Sequence, residues 1–264
     1  MDLAYIASGL SVGLLVGLTG VGGGSLMTPL LVFLFGFAPN TAVGTDLLFA
    51  SITKTGGVAV HHGNHRSVDW KIVGQLSLGS LPAAAAVILS LEYFDIPKST
   101  LSSVISHALG VALILTALAL FFRNRLMKAS LESDSHSPGR FARWQTPATV
   151  LTGLMLGCLV TLSSIGAGAL GTVALIYLYP RLPTLRIVGT DLAHAIPLTA
   201  VAGLGHLHMG NVDLALLGSL LLGSLPGIWI GSHLSARVPE YVLRPALASL
   251  LMLIGLKFVW PLPA

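Results

Sequence analysis

The sequence predicts an all-α polytopic membrane protein made of two inverted repeats of about five helical elements each, with a broken or re-entrant helix pair opening each repeat. Composition is the first support: 54% of the 264 residues are hydrophobic and 9% charged, where a soluble domain carries roughly 25% charged residues. Apolar stretches recur along the chain, many of them near the ~20 residues a helix needs to cross a bilayer. Duplication is the second. Thr19-Gly20-Val21-Gly22-Gly23-Gly24-Ser25-Leu26 and Ser163-Ser164-Ile165-Gly166-Ala167-Gly168-Ala169-Leu170 each interrupt an apolar run. Val43-Gly44-Thr45-Asp46-Leu47 recurs as Val188-Gly189-Thr190-Asp191-Leu192, Gly63-Asn64 as Gly210-Asn211, and Gly79-Ser80-Leu81-Pro82 as Gly223-Ser224-Leu225-Pro226, always about 145 residues apart. Paired glycine-interrupted hydrophobic segments in two halves point to a transporter with its site at the repeat interface.

The elements follow in order. In the first repeat, residues 1–122, helices are expected at about 3–19, 25–37, 41–60, 69–91 and 101–122; in the second, residues 147–264, at about 147–163, 168–180, 185–205, 212–233 and 240–260. The first apolar stretch follows Asp2 without a preceding Lys or Arg, so it reads as a membrane helix and not as a signal peptide. The second element of each half has roughly 13 residues and reaches only about 20 Å, less than the ~30 Å hydrocarbon core. It is a broken or tilted span, or half of a re-entrant hairpin. Either way the first two elements enter and leave on one side, and the three remaining spans invert the second repeat.

Charge fixes the expected orientation. Arg123, Arg125, Lys128, Arg140 and Arg143 fall in one long hydrophilic loop, 123–146, which reads as a cytoplasmic, solvated linker between the repeats. The loops holding Arg66, Arg181, Arg186, Arg237 and Arg244 fall on the same side, and both termini outside. The single Cys158 excludes an internal disulfide or a cysteine metal cage. No HExxH, GxSxG, Walker lysine or GxGxxG loop marks an enzyme, and no basic-aromatic interleaving marks a nucleic-acid surface. No cofactor is expected.

The glycine runs should end their helices and free backbone groups, which membrane depth tolerates only beside protein or a water-filled cavity. Helix starts just beyond them, with Thr28-Pro29 in the first copy, would turn amides and a positive dipole end toward an anion. Gly22, Gly23, Gly24 and Ser25, with Ser163, Ser164, Gly166 and Gly168, are therefore candidate anion contacts; the alternative is close packing of small residues. Asp46 and Asp191 are intramembrane acids, suited to coupling or gating or, if Asn40 or Thr41 caps the helix, to stabilising its N-terminus. Neighbouring Thr45 and Thr190 have hydroxyls able to meet an oxyanion. Lys54 lies two turns beyond Asp46 on the same face and could pair with an anion or with that acid; the second copy has no such cation. His194, one turn from Asp191, could join a proton path. His107 lies inside a span, His61, His62 and His65 form a basic cluster at one helix end, and His206 and His208 stand at the matching end. Pro82 and Pro226 interrupt the fourth helix of each repeat, as a static kink or a hinge.

These same residues resemble the sulfite exporter TauE/SafE family of membrane transporters. Gly17-Leu18-Thr19-Gly20-Val21-Gly22-Gly23-Gly24-Ser25-Leu26 is similar to that family's opening motif. Ala42-Val43-Gly44-Thr45-Asp46-Leu47, Gly79-Ser80-Leu81-Pro82-Ala83 and the duplicated topology extend the likeness over essentially the whole chain. The resemblance implies transport of small anions such as sulfite, sulfoacetate or related organosulfur compounds across a bacterial plasma membrane. It also implies that Gly22 to Ser25, Thr45 and their second-half equivalents line the path. Ala167 replaces a glycine, and Ser163-Ser164 replaces Thr-Gly, so the half-sites are not identical. The expected partners are a small anion and the lipid bilayer, with homodimerisation left open. The competing reading is a divalent metal cation carrier using the intramembrane Asp and His residues; a scaffold without flux gives no reason for duplicated helix breaks.

Overall fold

The computed structural model describes residues 3–19, 24–65, 68–94, 97–136, 142–234 and 240–260, and the regular structure among them is entirely helical. In chain order the helices are α1 (Leu3–Thr19), α2 (Gly24–Phe33), α3 (Pro39–His65), α4 (Trp70–Tyr93), α5 (Lys98–His136), α6 (Ala142–Ser163), α7 (Leu170–Leu178), α8 (Thr184–His208), α9 (Leu214–Leu234) and α10 (Glu240–Val259). Among the described residues five segments are long and apolar enough to cross a membrane: Trp70–Tyr93, Ser99–Arg123, Trp144–Ser163, Thr184–His208 and Leu214–Gly231. Large apolar side chains such as Leu78, Leu89, Met155 and Leu253 point outward, as lipid contact requires. Trp70, Tyr93, Trp144 and Trp260 lie exposed at or beside helix ends, where aromatic rings suit a membrane interface.

Several boundaries differ from the expected ones for identifiable reasons. The short elements are shorter still: α2 has 10 residues and α7 has 9, about 15 Å and 13 Å of helix. The turn holding Gly36, at φ 69°, ends the first before Pro39. Tyr179 leaves the second ahead of Pro180 and Pro183. Helix α3 begins earlier than expected, with Pro39 at its first position, where the missing N–H costs nothing. Asn40 therefore does not cap it; its Nδ2 donates to Asn211 Oδ1 at 2.8 Å, and Ser102 Oγ donates to its Oδ1 at 3.2 Å. The expected loop at 123–146 is helical over 123–136 as the end of α5, and over 142–146 as the start of α6, with Pro147 inside that helix. Arg, Leu, Met, Lys and Ala after Phe122 are good helix formers, so the helix outlasts the apolar segment. The stretch 137–141 lies outside the described residues.

Glycine decides which helices touch. A Cβ on Gly9 or Gly13 would overlap the backbone of Leu220 or Ser224, and one on Gly223, Gly227 or Gly231 would overlap Ile6, Leu10 or Leu14. Numbers rise together, so α1 and α9 run parallel. Gly153 against Leu76 and Gly157 against Ser80 make α4 and α6 parallel as well. By contrast, Gly44 against His206 and Leu48 against Gly203 run α3 antiparallel to α8, and Gly110 against Phe258 with Ile114 against Gly255 run α5 antiparallel to α10. Exchanging each helix for the one five places along maps the α1–α9 contact onto α6–α4, α3–α9 onto α8–α4 and α2–α3 onto α7–α8. The small-residue packing that competes with a substrate role at glycine is thus realised on these long helices.

The packing gives a contrast to test. Gly227→Ala would drive a methyl into the Leu10 carbonyl, whereas Gly74 has nothing within 4 Å of the added carbon. Overpacking costs about 1–3 kcal/mol, while Ala for Gly in an open helix interior gains up to about 1 kcal/mol. Thermal melting in detergent should place Gly227→Ala below the parent and Gly74→Ala at or above it.

Candidate functional site

The second-half break forms as the sequence suggests. Helix α6 ends at Ser163, and the chain runs irregularly to Leu170 with Ser164 at φ 58°, Gly166 at 128° and Gly168 at 123°. Left-handed backbone is easy for glycine but uncommon for serine, so Ser164 is held there by its surroundings. Ser163 Oγ donates to Leu159 O at 2.6 Å and accepts from Ile165 N at 3.2 Å, satisfying groups the helix end leaves free. All six residues from Ser164 to Ala169 are buried. In the first half, Gly22 and Gly23 lie outside the described residues, and Gly24 and Ser25 are the first residues of α2.

Each short helix closes on a buried acid of the helix that follows it. Thr28 Oγ1 of α2 donates to Asp46 Oδ2 at 2.5 Å, and the Thr28 amide also faces that carboxylate. Thr172 Oγ1 of α7 donates to Asp191 Oδ2 at 2.9 Å, with the Gly168 and Thr172 amides turned toward it. Gly171 makes room, since a Cβ there would overlap Asp191 Oδ1. Both acids are fully buried, and in each the Oδ1 atom takes no hydrogen bond. At α7 the positive helix end expected to face a guest anion therefore faces a carboxylate of the protein itself, whereas at α2 the acid is met by Thr28, the fifth residue of the helix.

Lys54 joins the two half-sites. It is buried eight residues beyond Asp46, about 12 Å along α3, and its Nζ donates to Ala167 O at 3.0 Å, in the middle of the break. Both carboxylates lie within its electrostatic reach. Ser164, whose hydroxyl takes no hydrogen bond, neighbours Asp46 at one end of the break, while Gly168 faces Asp191 at the other. The irregular segment thus spans the interval between the acids, with the ammonium at its midpoint.

The other candidates distribute around this axis. His194 is buried in α8 with Nε2 2.8 Å from Ser80 Oγ, two residues before Pro82. Its Nδ1 has no hydrogen-bond partner, and Lys54 is its charged neighbour. Pro82 and Pro226 lie inside α4 and α9, partly facing outward. Thr45 and Thr190 are buried, and each accepts a backbone hydrogen bond from the other repeat: Thr45 Oγ1 from Asp213 N at 3.1 Å, Thr190 Oγ1 from Asp69 N at 2.9 Å. His206 is buried against Thr161 O at 2.9 Å, His107 is exposed against Ser103 O of its own helix, and His208 pairs with Glu92 at 3.4 Å. The side chains of His61, His62 and His65 lie outside the described residues. Among the described residues no three His, Cys, Asp or Glu gather as a metal site would require.

Sequence reasoning missed the threonine donors and Gly171. Thr28 and Thr172 do carry a signal, since they recur 144 residues apart at the same step past their breaks. Nothing local in Gly171 announces its role, which comes from a side chain twenty residues away.

A family profile described as "Sulfite exporter TauE/SafE" matches residues 5–258. The chain belongs to the TauE/SafE family. It is 42% identical to the probable membrane transporter protein YjnA of Bacillus subtilis, over 98% of this chain and all of that one. It is 27% identical to the probable membrane transporter protein YdhB of the same organism, over 91% and 96% of the two chains. A probable membrane transporter protein of Methanocaldococcus jannaschii matches at 25% identity over 95% and 92%. No solved structure matches the chain. This TauE/SafE protein is a multi-pass membrane transporter and not an enzyme.

The buried charges predict a coupling. Removing one partner of a buried charge cluster costs about 3–5 kcal/mol, because the other charge stays uncompensated. Lys54→Met should lower the melting temperature, and adding Asp46→Asn or Asp191→Asn should recover part of the loss. Additive effects in that double-mutant cycle would show that the ammonium and the acids do not interact.

Proposed function

We propose that this TauE/SafE transporter moves a small sulfur-containing anion, sulfite or an organosulfonate, across the bacterial plasma membrane by alternating access. The observation that carries the reading is the pair of short helices, each already holding a buried carboxylate through a threonine, at the N-terminal end in α7, with Lys54 between them. Such an end is an anion site by construction. In the resting protein the anion is Asp46 or Asp191; protonation of an acid weakens its hold and leaves the amides and Lys54 to the incoming oxyanion. Charge supports the exchange. Two carboxylates and one ammonium sum to −1, so an added anion is opposed unless a proton arrives with it, and at low effective dielectric such terms reach several kcal/mol. Among the described residues no three His, Cys, Asp or Glu gather to hold a divalent cation in the same place.

The topology follows as part of the proposal. The antiparallel courses of α3 against α8 and of α5 against α10, and the exchange of the α1–α9, α3–α9 and α2–α3 contacts with α6–α4, α8–α4 and α7–α8, support two inverted repeats, 1–122 and 147–264. The Arg and Lys residues around 123–146 favour that side as cytoplasmic, with both termini outside. Pro82 and Pro226, beside glycine contacts of α4 and α9, are the positions where those helices can bend as one repeat rocks against the other.

Counterflow in proteoliposomes loaded with sulfite, thiosulfate, sulfoacetate or taurine tests the substrate class. Exchange driven by sulfite or an organosulfonate is expected; exchange driven by nickel or cobalt and by none of these would refute it. Coupling is tested separately. Anion flux should rise as pH falls on the loading side, because protonation must accompany binding, and Asp46→Asn should flatten that dependence while retaining substrate binding. An unchanged pH profile in the variant would exclude Asp46 as the coupling group.

A further inference from the structure

The threonines next to the two acids do something neither acid does: they tie the repeats together, once at each end of the molecule. Thr45 of α3 accepts the amide of Asp213, which immediately precedes α9, and Thr190 of α8 accepts the amide of Asp69, which immediately precedes α4. Each of those aspartates is the residue on which its helix begins. Asp69 Oδ1 accepts from Lys71 N at 3.2 Å and Ile72 N at 3.4 Å, and Asp213 Oδ1 accepts from Leu216 N at 2.9 Å. The bond from threonine therefore grips the rigid N-terminus of a long helix. Because α3 and α8 run antiparallel, and each threonine lies within two turns of its own helix start, the two contacts sit at opposite ends. Each is also one residue from an acid, Asp46 or Asp191, which is held in turn by a short helix.

We propose that Thr45–Asp213 and Thr190–Asp69 are the two gate latches of the alternating-access cycle, each closing one end of the central path, and that both are closed in the structure described. Protonation at Asp46 or Asp191 shifts its own residue against Thr28 or Thr172, and the threonine one position away carries that shift to the helix start of the opposite repeat. The ends are reinforced differently. Arg186 Nη2 lies 3.4 Å from Asp69 Oδ2 at the Thr190 latch. At the Thr45 latch the neutral set Asn40, Asn211 and Ser102 is joined by bonds of 2.8 and 3.2 Å, and Asn211 is two residues from Asp213. The Thr190 latch is accordingly the one that salt weakens, since a partly exposed ion pair is screened and neutral hydrogen bonds are not.

The proposal rests on the alternating-access reading but is tested without any substrate, so a failure to find anion flux and a failure of the latches are separate results. In the full chain with Cys158→Ala and a reporter Ala167→Cys at the middle of the break, an impermeant maleimide is applied to right-side-out and inside-out vesicles. Thr45→Val should speed labelling from the face of Asp213 only, and Thr190→Val from the face of Asp69 only. Loss of one buried acceptor is worth roughly a tenfold change in open population. Thr45→Ser and Thr190→Ser, which keep the acceptor, should label as slowly as the parent. Raising salt should speed labelling from the Asp69 face alone. Faster labelling from the same face in both valine variants, from both faces in either one, or from neither, would overturn the assignment.

Discussion

A carboxylate buried in a membrane protein demands compensation, and here each acid finds it on a helix too short to span the bilayer. Thr28, halfway along α2, serves Asp46; Thr172, Gly168 and the α7 N-terminus serve Asp191. This constraint sets much of the rest. The helices must break so that amides become available at depth, and glycine must stand where Asp191 enters. Lys54, the one buried ammonium among the described residues, lies where it can act on both acids. An unpaired ionised group would cost several kcal/mol at this depth, so the arrangement is stable only while the pieces stay together.

The framework holding this axis is built from a different interaction. Glycine lines on α1 with α9, and on α4 with α6, bring backbones into direct contact, giving two rigid slabs with little side-chain freedom. In lipid, where no hydrophobic gain separates helix from tail, close packing of small residues is a principal source of association. The slabs leave α3 and α8 between them, and these carry both acids, Lys54, His194 and both latch threonines. On the proposed cycle, conformational change falls on the hydrogen bonds that α3 and α8 make to the starts of α9 and α4.

Much of this was legible in the sequence, and particular residues explain why. Composition and the recurrence of glycine runs, of Val-Gly-Thr-Asp and of Gly-Ser-Leu-Pro were enough to expect a helical membrane protein of two repeats, with breaks in the second half where Ser163 to Gly168 form one. Helix ends were harder: the α5 extension through Arg125 and Lys128 comes from local propensity that hydropathy does not weigh, and Asn40 reaches Asn211 only in three dimensions. The half-sites were harder still. Spacing identified Asp46, Asp191 and Lys54 as buried functional candidates, but could not tell that the short-helix amides meet those acids, because the partners come from separate elements. The hydroxyls of Thr45 and Thr190, read as possible oxyanion contacts, also accept the amides of Asp213 and Asp69, a contact between halves that no local pattern encodes.

The central claim is that an oxyanion takes over a helix end that a protonated acid gives up. Proton uptake on binding tests it most directly: purified transporter in weakly buffered detergent solution receives sulfite, or the anion the counterflow identifies, while a pH indicator is followed. The account predicts about one proton taken up per anion bound, by the charge balance of the site, and none in the doubly neutral Asp46→Asn/Asp191→Asn protein. Anion binding with no proton uptake in the parent protein would contradict it.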